Sequence, residues 1–327
     1  MGGKIFVGLL ATVLLTTAPR AQAQQPGKIP RIGYLSGLSL SLNAARIGAF
    51  LQGLRDLGYV EGKNIVIEWR SADGKFDRLP ALAAELVRLK VDVIVSAAPV
   101  VTRPVKEATK TIPIVMTFDD DPVSNGFIAS LARPGGNITG LSTLSPEISG
   151  KQLELLKETI PRLSRVAILG MSTRPGNAQA LKEVELAAGA LKVKLQSVDI
   201  LDSRDIEVAF RTASKGGVKA ILVLGNPVLN SQRPRVVDLA VKSRLPAIYA
   251  RPEFVEDGGL MFYGASITDS YRRAATYVDK ILKGRTPQDL PVEQPMKFEF
   301  VVNLKAAKQI GVTIPPNVLV RANKVIR

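Results

Sequence analysis

The feature that most constrains this chain is a rhythm. Short apolar, β-branched runs alternate with longer segments whose apolar residues recur at helical spacing. RIGYLS (31–36), VDVIVS (91–96), IPIVMTF (112–118), RVAILG (165–170) and KAILVL (219–224) are the clearest runs. A strand with one wet face alternates polar and apolar residues, whereas a nearly continuous apolar run is buried on both faces. Further strands are predicted at 64–70, 138–142, 194–199, 247–250, 260–263 and 297–302. Helices are predicted at 42–57, 76–89, 102–109, 125–131, 149–159, 177–191, 204–214, 233–244, 270–282 and 304–309, with Gly58 and Gly284 as stops. Such alternation builds parallel sheets covered by helices on both faces.

The rhythm breaks once, at Arg133-Pro134-Gly135-Gly136-Asn137, and restarts after residue 140. Two runs in 327 residues predict an α/β protein of two doubly wound, Rossmann-like lobes. In that architecture ligands sit outside the carboxyl ends of the strands. The candidate segments are therefore the strand exits at 36–41, 96–99, 119–122, 170–176, 226–230 and 251–254.

The chain has no Cys and no His. That excludes a disulfide, a thiol nucleophile, an iron–sulfur cluster, a Cys/His zinc site and a Ser-His-Asp triad. No G-x-x-x-x-G-K-[ST], strand-following G-x-G-x-x-G or G-x-S-x-G occurs, so the common phosphate cradles and the nucleophile elbow are absent.

At the N-terminus, Lys4, an apolar stretch at 5–15 and Ala21-Gln22-Ala23 form the three parts of a secretory signal. Eleven apolar residues are too few for the ~20 of a membrane-spanning helix. The expectation is a cleaved signal peptide at 1–23, with cleavage after Ala23. A lipid-anchored product needs a Cys there, so a free periplasmic protein is expected. The formal charge of +15 becomes +13 when Lys4 and Arg20 leave with the signal. Dispersed Lys and Arg and only 5% aromatic residues argue against nucleic acid and for a solvated basic surface.

Asp119-Asp120-Asp121 is the most polar strand exit. It could hold a divalent cation, supply a general base, pair with a ligand ammonium, or be a solvated loop with one carboxylate capping the next helix. Its spacing lacks the EF-hand pattern. Arg251 and Glu253, with Tyr249 and Phe254, form a second cluster; a guanidinium there suits a carboxylate, and surface solvation is the alternative. Ser36, Ser39 and Ser41 offer hydroxyls to an anionic group or simply cap the helix after them.

Taken together, the segments FLQGLRDLGYVEGKNIVIEWR (50–70), LPALAAELVRLKVDVIV (79–95), SLARPGGNITGLS (130–142), KQLELLKE (151–158), GGLMFYG (258–264) and DLPVEQP (289–295) resemble the tryptophan/tyrosine-type substrate-binding proteins of ABC transporters, with a type I periplasmic binding fold. The resemblance runs essentially end to end. It implies a clamshell joined by hinge strands, with one lobe at 28–142 plus 262–292 and the other at 143–261 plus 293–327. It implies a monomer that captures an amino acid or small organic acid, aromatic ones included, by hinge closure. The bound molecule would pass to a membrane permease and ATPase complex. No catalytic residue, cofactor or metal is expected. By analogy, a ligand carboxylate would meet Ser36, Ser39, Ser96 and the backbone at Ala97, Ala98 and Pro99. An ammonium would meet Asp119 or Asp120. Asn226, Tyr249, Arg251, Glu253 and Phe254 would reach in from the second lobe. An exported enzyme on the same scaffold and a ligand-sensing subunit for a membrane receptor are the alternatives.

Overall fold

The computed structural model describes residues 28–143, 146–173 and 175–327. The expected signal peptide lies outside the described residues. The first sheet comprises β1 (Arg31–Ser36), β2 (Val66–Ser71), β3 (Val93–Ser96), β4 (Ile114–Met116) and β5 (Ile138–Gly140), all parallel, in the order β2-β1-β3-β4-β5. Between them run α1 (Ala44–Asp56), α2 (Leu79–Arg88) and α3 (Pro99–Ala108).

The second sheet begins after α4 (Ile148–Thr159). Chain order is then β6 (Arg165–Gly170), α5 (Pro175–Leu191), β7 (Lys194–Asp199), α6 (Asp205–Lys215), β8 (Ala220–Val223), α7 (Pro227–Ser231), α8 (Arg233–Lys242), β9 (Ala247–Tyr249), α9 (Glu253–Glu256) and β10 (Met261–Ala265). The long α10 (Ile267–Leu282) precedes β11 (Phe298–Asn303), α11 (Leu304–Ile310), α12 (Pro316–Leu319) and β12 (Lys324–Ile326). The order is β12-β11-β10-β9-β8-β6-β7. Both sheets thus share the doubly wound 2-1-3-4-5 order, whose switch points put ligand crevices at the carboxyl ends.

Period-2 burial explains the continuous apolar strands. In β1 and β3, Ile32, Tyr34, Val93 and Val95 face a core with Phe50, Leu54 and Tyr271. Their neighbours Leu35 and Ile94 face the opposite core with Leu82, Leu86, Val101 and Val105. Two glycines are sterically required. A Cβ on Gly53 of α1 would stand 2.3 Å from the Arg272 carbonyl oxygen, so α1 and α10 cross closely only because it is absent. At Gly140, φ is +131° and a Cβ would meet the Met116 carbonyl oxygen at 2.2 Å.

The chain passes between the sheets three times: after β5, at Ser266, and across 293–297. These crossings are stitched together. Ser142 N–H donates to the Glu293 carbonyl (2.9 Å), Glu293 N–H to that of Gly140 (3.1 Å), and Ser266 N–H to that of Lys297 (2.9 Å).

Three expectations differ from the structure. The return toward the first lobe comes at Ser266 rather than at 262, because Met261–Ala265 pairs in the larger sheet. The sheets are not wholly parallel. β10 ends at the crossings and β11 starts there, so Ala265 faces Phe298 and the two run antiparallel. Residues 125–131 form turns rather than a helix. Asp119 accepts the Asp121 N–H (2.9 Å) and Asp121 accepts that of Ser124 (3.1 Å), side-chain bonds that compete with helical ones.

Candidate functional site

Four charged residues meet where the exits of β4 and β9 face one another. Arg251, two residues beyond β9, grips Glu253 with Nε (3.2 Å) and Nη2 (3.0 Å). Its Nη1 lies 3.4 Å from Asp120 of the first lobe. Arg46, from α1 of the first lobe, holds the same Glu253 oxygen at 2.9 Å. An alternating row Arg46–Glu253–Arg251–Asp120 therefore ties the lobes together. Its formal charges cancel. Burial alone would raise the Glu253 carboxyl, but the two guanidiniums outweigh it and hold the group well below the usual carboxylate range. The Arg251 guanidinium also lies 5.3 Å above the centroid of Phe118.

The three adjacent aspartates play different parts. Asp119 is fully buried; its Oδ1 accepts from Asp121 N–H and from Asn125 Nδ2 (2.7 Å), while Oδ2 has no hydrogen-bond partner. Burial, then the charge of Asp120, raises its carboxyl to about 7. Asp120 accepts from the Thr143 hydroxyl (3.1 Å) and faces Arg251. Asp121 accepts from Ser124 N–H through Oδ1 and leaves Oδ2 buried and unpartnered. Among the described residues no group of three acidic side chains is placed to hold a metal ion.

A cavity of about 80 Å³ opens beside this row. Asp120, Asp121 and Thr143 line it from one side; Gln152, Asn177 and Arg251 line it from the other. Gly176 and Asn177 belong to the first turn of α5, and Ile148 and Ser149 to that of α4.

Of the residues expected at the site, the structure brings Asp120, Arg251 and Glu253 together. The others are engaged locally. The Ser36 hydroxyl donates to the Leu38 carbonyl (2.6 Å) and accepts from Asn43 Nδ2 (2.8 Å). Ser39 and Ser41 face each other at 3.2 Å. Ser96 pairs with Thr102 (2.7 Å). The Ala97 carbonyl accepts the buried Tyr271 hydroxyl, and Ala98 and Pro99 start α3. Asn226 caps α7, accepting from Val228 N–H (2.7 Å) and Leu229 N–H (3.3 Å), and its Nδ2 donates to the Ile200 carbonyl. Tyr249 and Phe254 stack at 4.7 Å inside the second lobe. Burial leaves the Tyr249 hydroxyl unpartnered and pushes its pKa up.

Sequence reasoning missed Arg46, Thr143, Gln152 and Asn177. Asn177 stands one residue past the exit at 170–176. Gln152 and Arg46 sit on helices, where a polar residue reads as solvent-facing; Gln152 is 1% exposed.

Known proteins resemble this chain in sequence and overall fold. A crystal structure of a conserved domain protein from Vibrio cholerae is 29% identical and superposes with a TM-score of 0.74, over 91% of this chain and all of that one. An ABC domain from Streptococcus pneumonia, solved in complex with L-Trp, is 26% identical with a TM-score of 0.74, over 91% of this chain and 99% of that one. A tyrosine-binding protein of Clostridioides difficile is 27% identical over 271 residues, 83% of this chain and 77% of that protein. The family model for ABC transporter substrate binding proteins matches residues 37–326. With nearly the whole described chain inside that match and the two-lobed fold to go with it, this protein belongs to the ABC transporter substrate-binding protein family.

Proposed function

We propose that the protein is the exported, periplasmic receptor of an ABC importer, which captures an α-amino acid between its lobes and hands it to a membrane permease. The carrying observation is the interlobe cavity, in which Asp121, Gln152 and Asn177 each leave a buried polar atom without a partner. Buried polar groups are normally satisfied, and a ligand supplies what the fold does not. The L-Trp-bound and tyrosine-binding relatives support an aromatic amino acid. At about 80 Å³ the cavity has room for several water molecules, whereas about 150 Å³ is what an apolar cavity offers benzene. Admission of an aromatic ring therefore requires the lobes to part along the ion-pair row. Closure around the ligand then results from its contacts with both lobes at once. The protein acts as a monomer and by binding alone, and no covalent step is needed.

The test is thermal denaturation of the mature protein against the twenty amino acids and small aromatic acids. A true ligand at a hundredfold excess over Kd stabilises by about 2.7 kcal/mol. For a chain of this size that raises Tm by several degrees. No shift with any amino acid refutes the reading, and turnover of any of them replaces it with an enzyme.

A further inference from the structure

A second cavity lies at the far end of the first lobe, away from the interlobe cleft. Pro30, Asp92 and Pro113 stand immediately before β1, β3 and β4, the three central strands of that sheet, and all three line it. Lys28, the end of α10 with Ile281 and Leu282, and the turn at 284–287 complete the lining. β1 has six residues, so this end of the sheet is about 20 Å from the crevice at the carboxyl ends. With a volume of about 540 Å³ the cavity falls in the range of small-molecule sites.

The covered part of the lining is apolar and the open part is charged. Ile281 and Pro287 are buried, and Pro30, Pro113 and Leu282 are half-buried. Lys28 and Arg285 are exposed. The backbone has few donors to offer, because the three prolines carry no N–H and that of Asp92 is used by the Arg31 carbonyl (2.7 Å). Polar recognition here therefore falls to side chains.

Those side chains have spare donors and filled acceptors. Asp92 accepts from Lys28 Nζ through Oδ1 (2.8 Å) and from Arg31 N–H through Oδ2 (2.7 Å). Burial would raise its carboxyl, but the Lys28 ammonium and the Arg31 N–H outweigh it and hold the group below its usual value. At the end of α10 the carbonyls of Asp279, Lys280 and Ile281 accept the N–H groups of Lys283 (3.0 Å), Arg285 (3.0 Å) and Gly284 (2.9 Å). A ligand cation would find its acceptors taken. By contrast, the Arg285 guanidinium has no hydrogen-bond or ion-pair partner among the described residues, and Lys28 keeps two N–H groups beyond the one given to Asp92. Two cations against one carboxylate leave the lining net positive.

We infer that this cavity is a second binding site, for a soluble carboxylate with an aliphatic tail. The planar fork of Arg285 takes the carboxylate, with Lys28 as the supporting cation, and the tail covers Ile281, Leu282 and the prolines. An α-amino acid would bring an ammonium that finds no acceptor, so the site is distinct in chemistry from the one between the lobes. Every lining residue belongs to the first lobe. Occupancy therefore does not depend on whether the lobes are open or closed, and the inference does not rest on the amino-acid reading above.

The experiment is calorimetric titration of the full mature chain with hexanoate, octanoate and decanoate, and with octylamine as the cationic counterpart of octanoate. Melting temperatures are read in parallel. The wild-type protein should bind octanoate one to one, with affinity rising about two- to fourfold per added methylene as the tail is buried. Octylamine should bind at least about tenfold more weakly than octanoate, the effect of replacing a paired charge by a repelled one. Arg285→Gln removes the free guanidinium at an exposed position. It should melt with the wild type and lose about tenfold toward octanoate, the worth of a charge-assisted hydrogen bond. Lys182→Gln, exposed on α5 of the other lobe, removes the same unit of charge and should change octanoate affinity by less than about twofold, since exposed charges that far apart are screened. The comparison of octanoate with octylamine needs no variant and stands if a substitution disturbs folding. Three results would each overturn the inference. One is no binding of octanoate up to millimolar concentration, by heat or by melting temperature; another is octylamine binding as tightly as octanoate. The third is an Arg285→Gln affinity no weaker than that of Lys182→Gln.

Discussion

Replacing Asp119 by Asn should make the protein more stable, and only above acidic pH. Asp119 is fully buried, and burial together with the neighbouring Asp120 charge lifts its carboxyl from 3.8 to about 7. The folded protein thus keeps a proton between about pH 4 and 7 that the unfolded chain has released. Stability from this group is fully present below pH 4, declines through that window, and levels off above 7. A shift of about three units corresponds to about 4 kcal/mol at 1.36 kcal/mol per unit. The Asn variant keeps the acceptor for Asp121 N–H and Asn125 Nδ2 and never acquires the charge. At pH 4 the two proteins should melt together; at pH 8 the variant should be about 4 kcal/mol more stable. At roughly 2 °C per kcal/mol for a chain of this length, that is about 8 °C in Tm. Scanning calorimetry without ligand at half-unit steps from pH 4 to 8 reads the difference directly. A gap between the two proteins that stays constant across the range, or an Asn variant that is the less stable at pH 8, would refute the reasoning.

Two further outcomes test the lobe contact and the crossings. Glu253→Gln leaves Arg46 and Arg251 facing each other without their shared carboxylate; stability should drop by about 3 kcal/mol and the radius of gyration by X-ray scattering should increase, whereas an unchanged radius would show that the row does not hold the lobes. Gly140→Ala puts a methyl against the Met116 carbonyl at a φ of +131°, and should cost at least ~2 kcal/mol by denaturant titration; a cost under 0.5 kcal/mol would mean that β5 can shift without penalty.

Strands such as Arg31–Ser36 and Arg165–Gly170 were legible to the residue because burial on both faces writes itself as an unbroken apolar run. The helices α7, α9 and α12 span only four or five residues, too few to show a period. The strand-exit rule brought out Asp120 and Arg251, which are 131 positions apart and meet in space. That Asp120 and Asp121 line the cavity while Asp119 does not is set by loop turns in which Asp119 and Asp121 accept backbone N–H groups, and side-chain spacing carries no trace of that. Asn226, expected to reach in from the second lobe, caps α7 with its side chain, a local role that the strand-exit rule does not register. Gln152 and Asn177 could not be told from surface amides, since nothing in a helix period separates a polar residue facing water from one facing a small cavity.

The threefold crossing has a bearing on how the molecule is made. The core of the N-terminal sheet is covered by α10, whose Tyr271, Ala274, Ala275 and Val278 pack on Phe50, Leu54 and the strands; the Tyr59 hydroxyl reaches Asp279 across 220 positions. A growing chain that has already produced all five strands of that sheet still lacks the helix that closes it. Until about residue 282 emerges, Ile32, Tyr34, Phe50 and Leu54 have no cover on that side. The lobe begun first therefore cannot close until most of the second has been made, and the second still awaits β11 and β12, so compact folding waits until nearly the whole polypeptide is available.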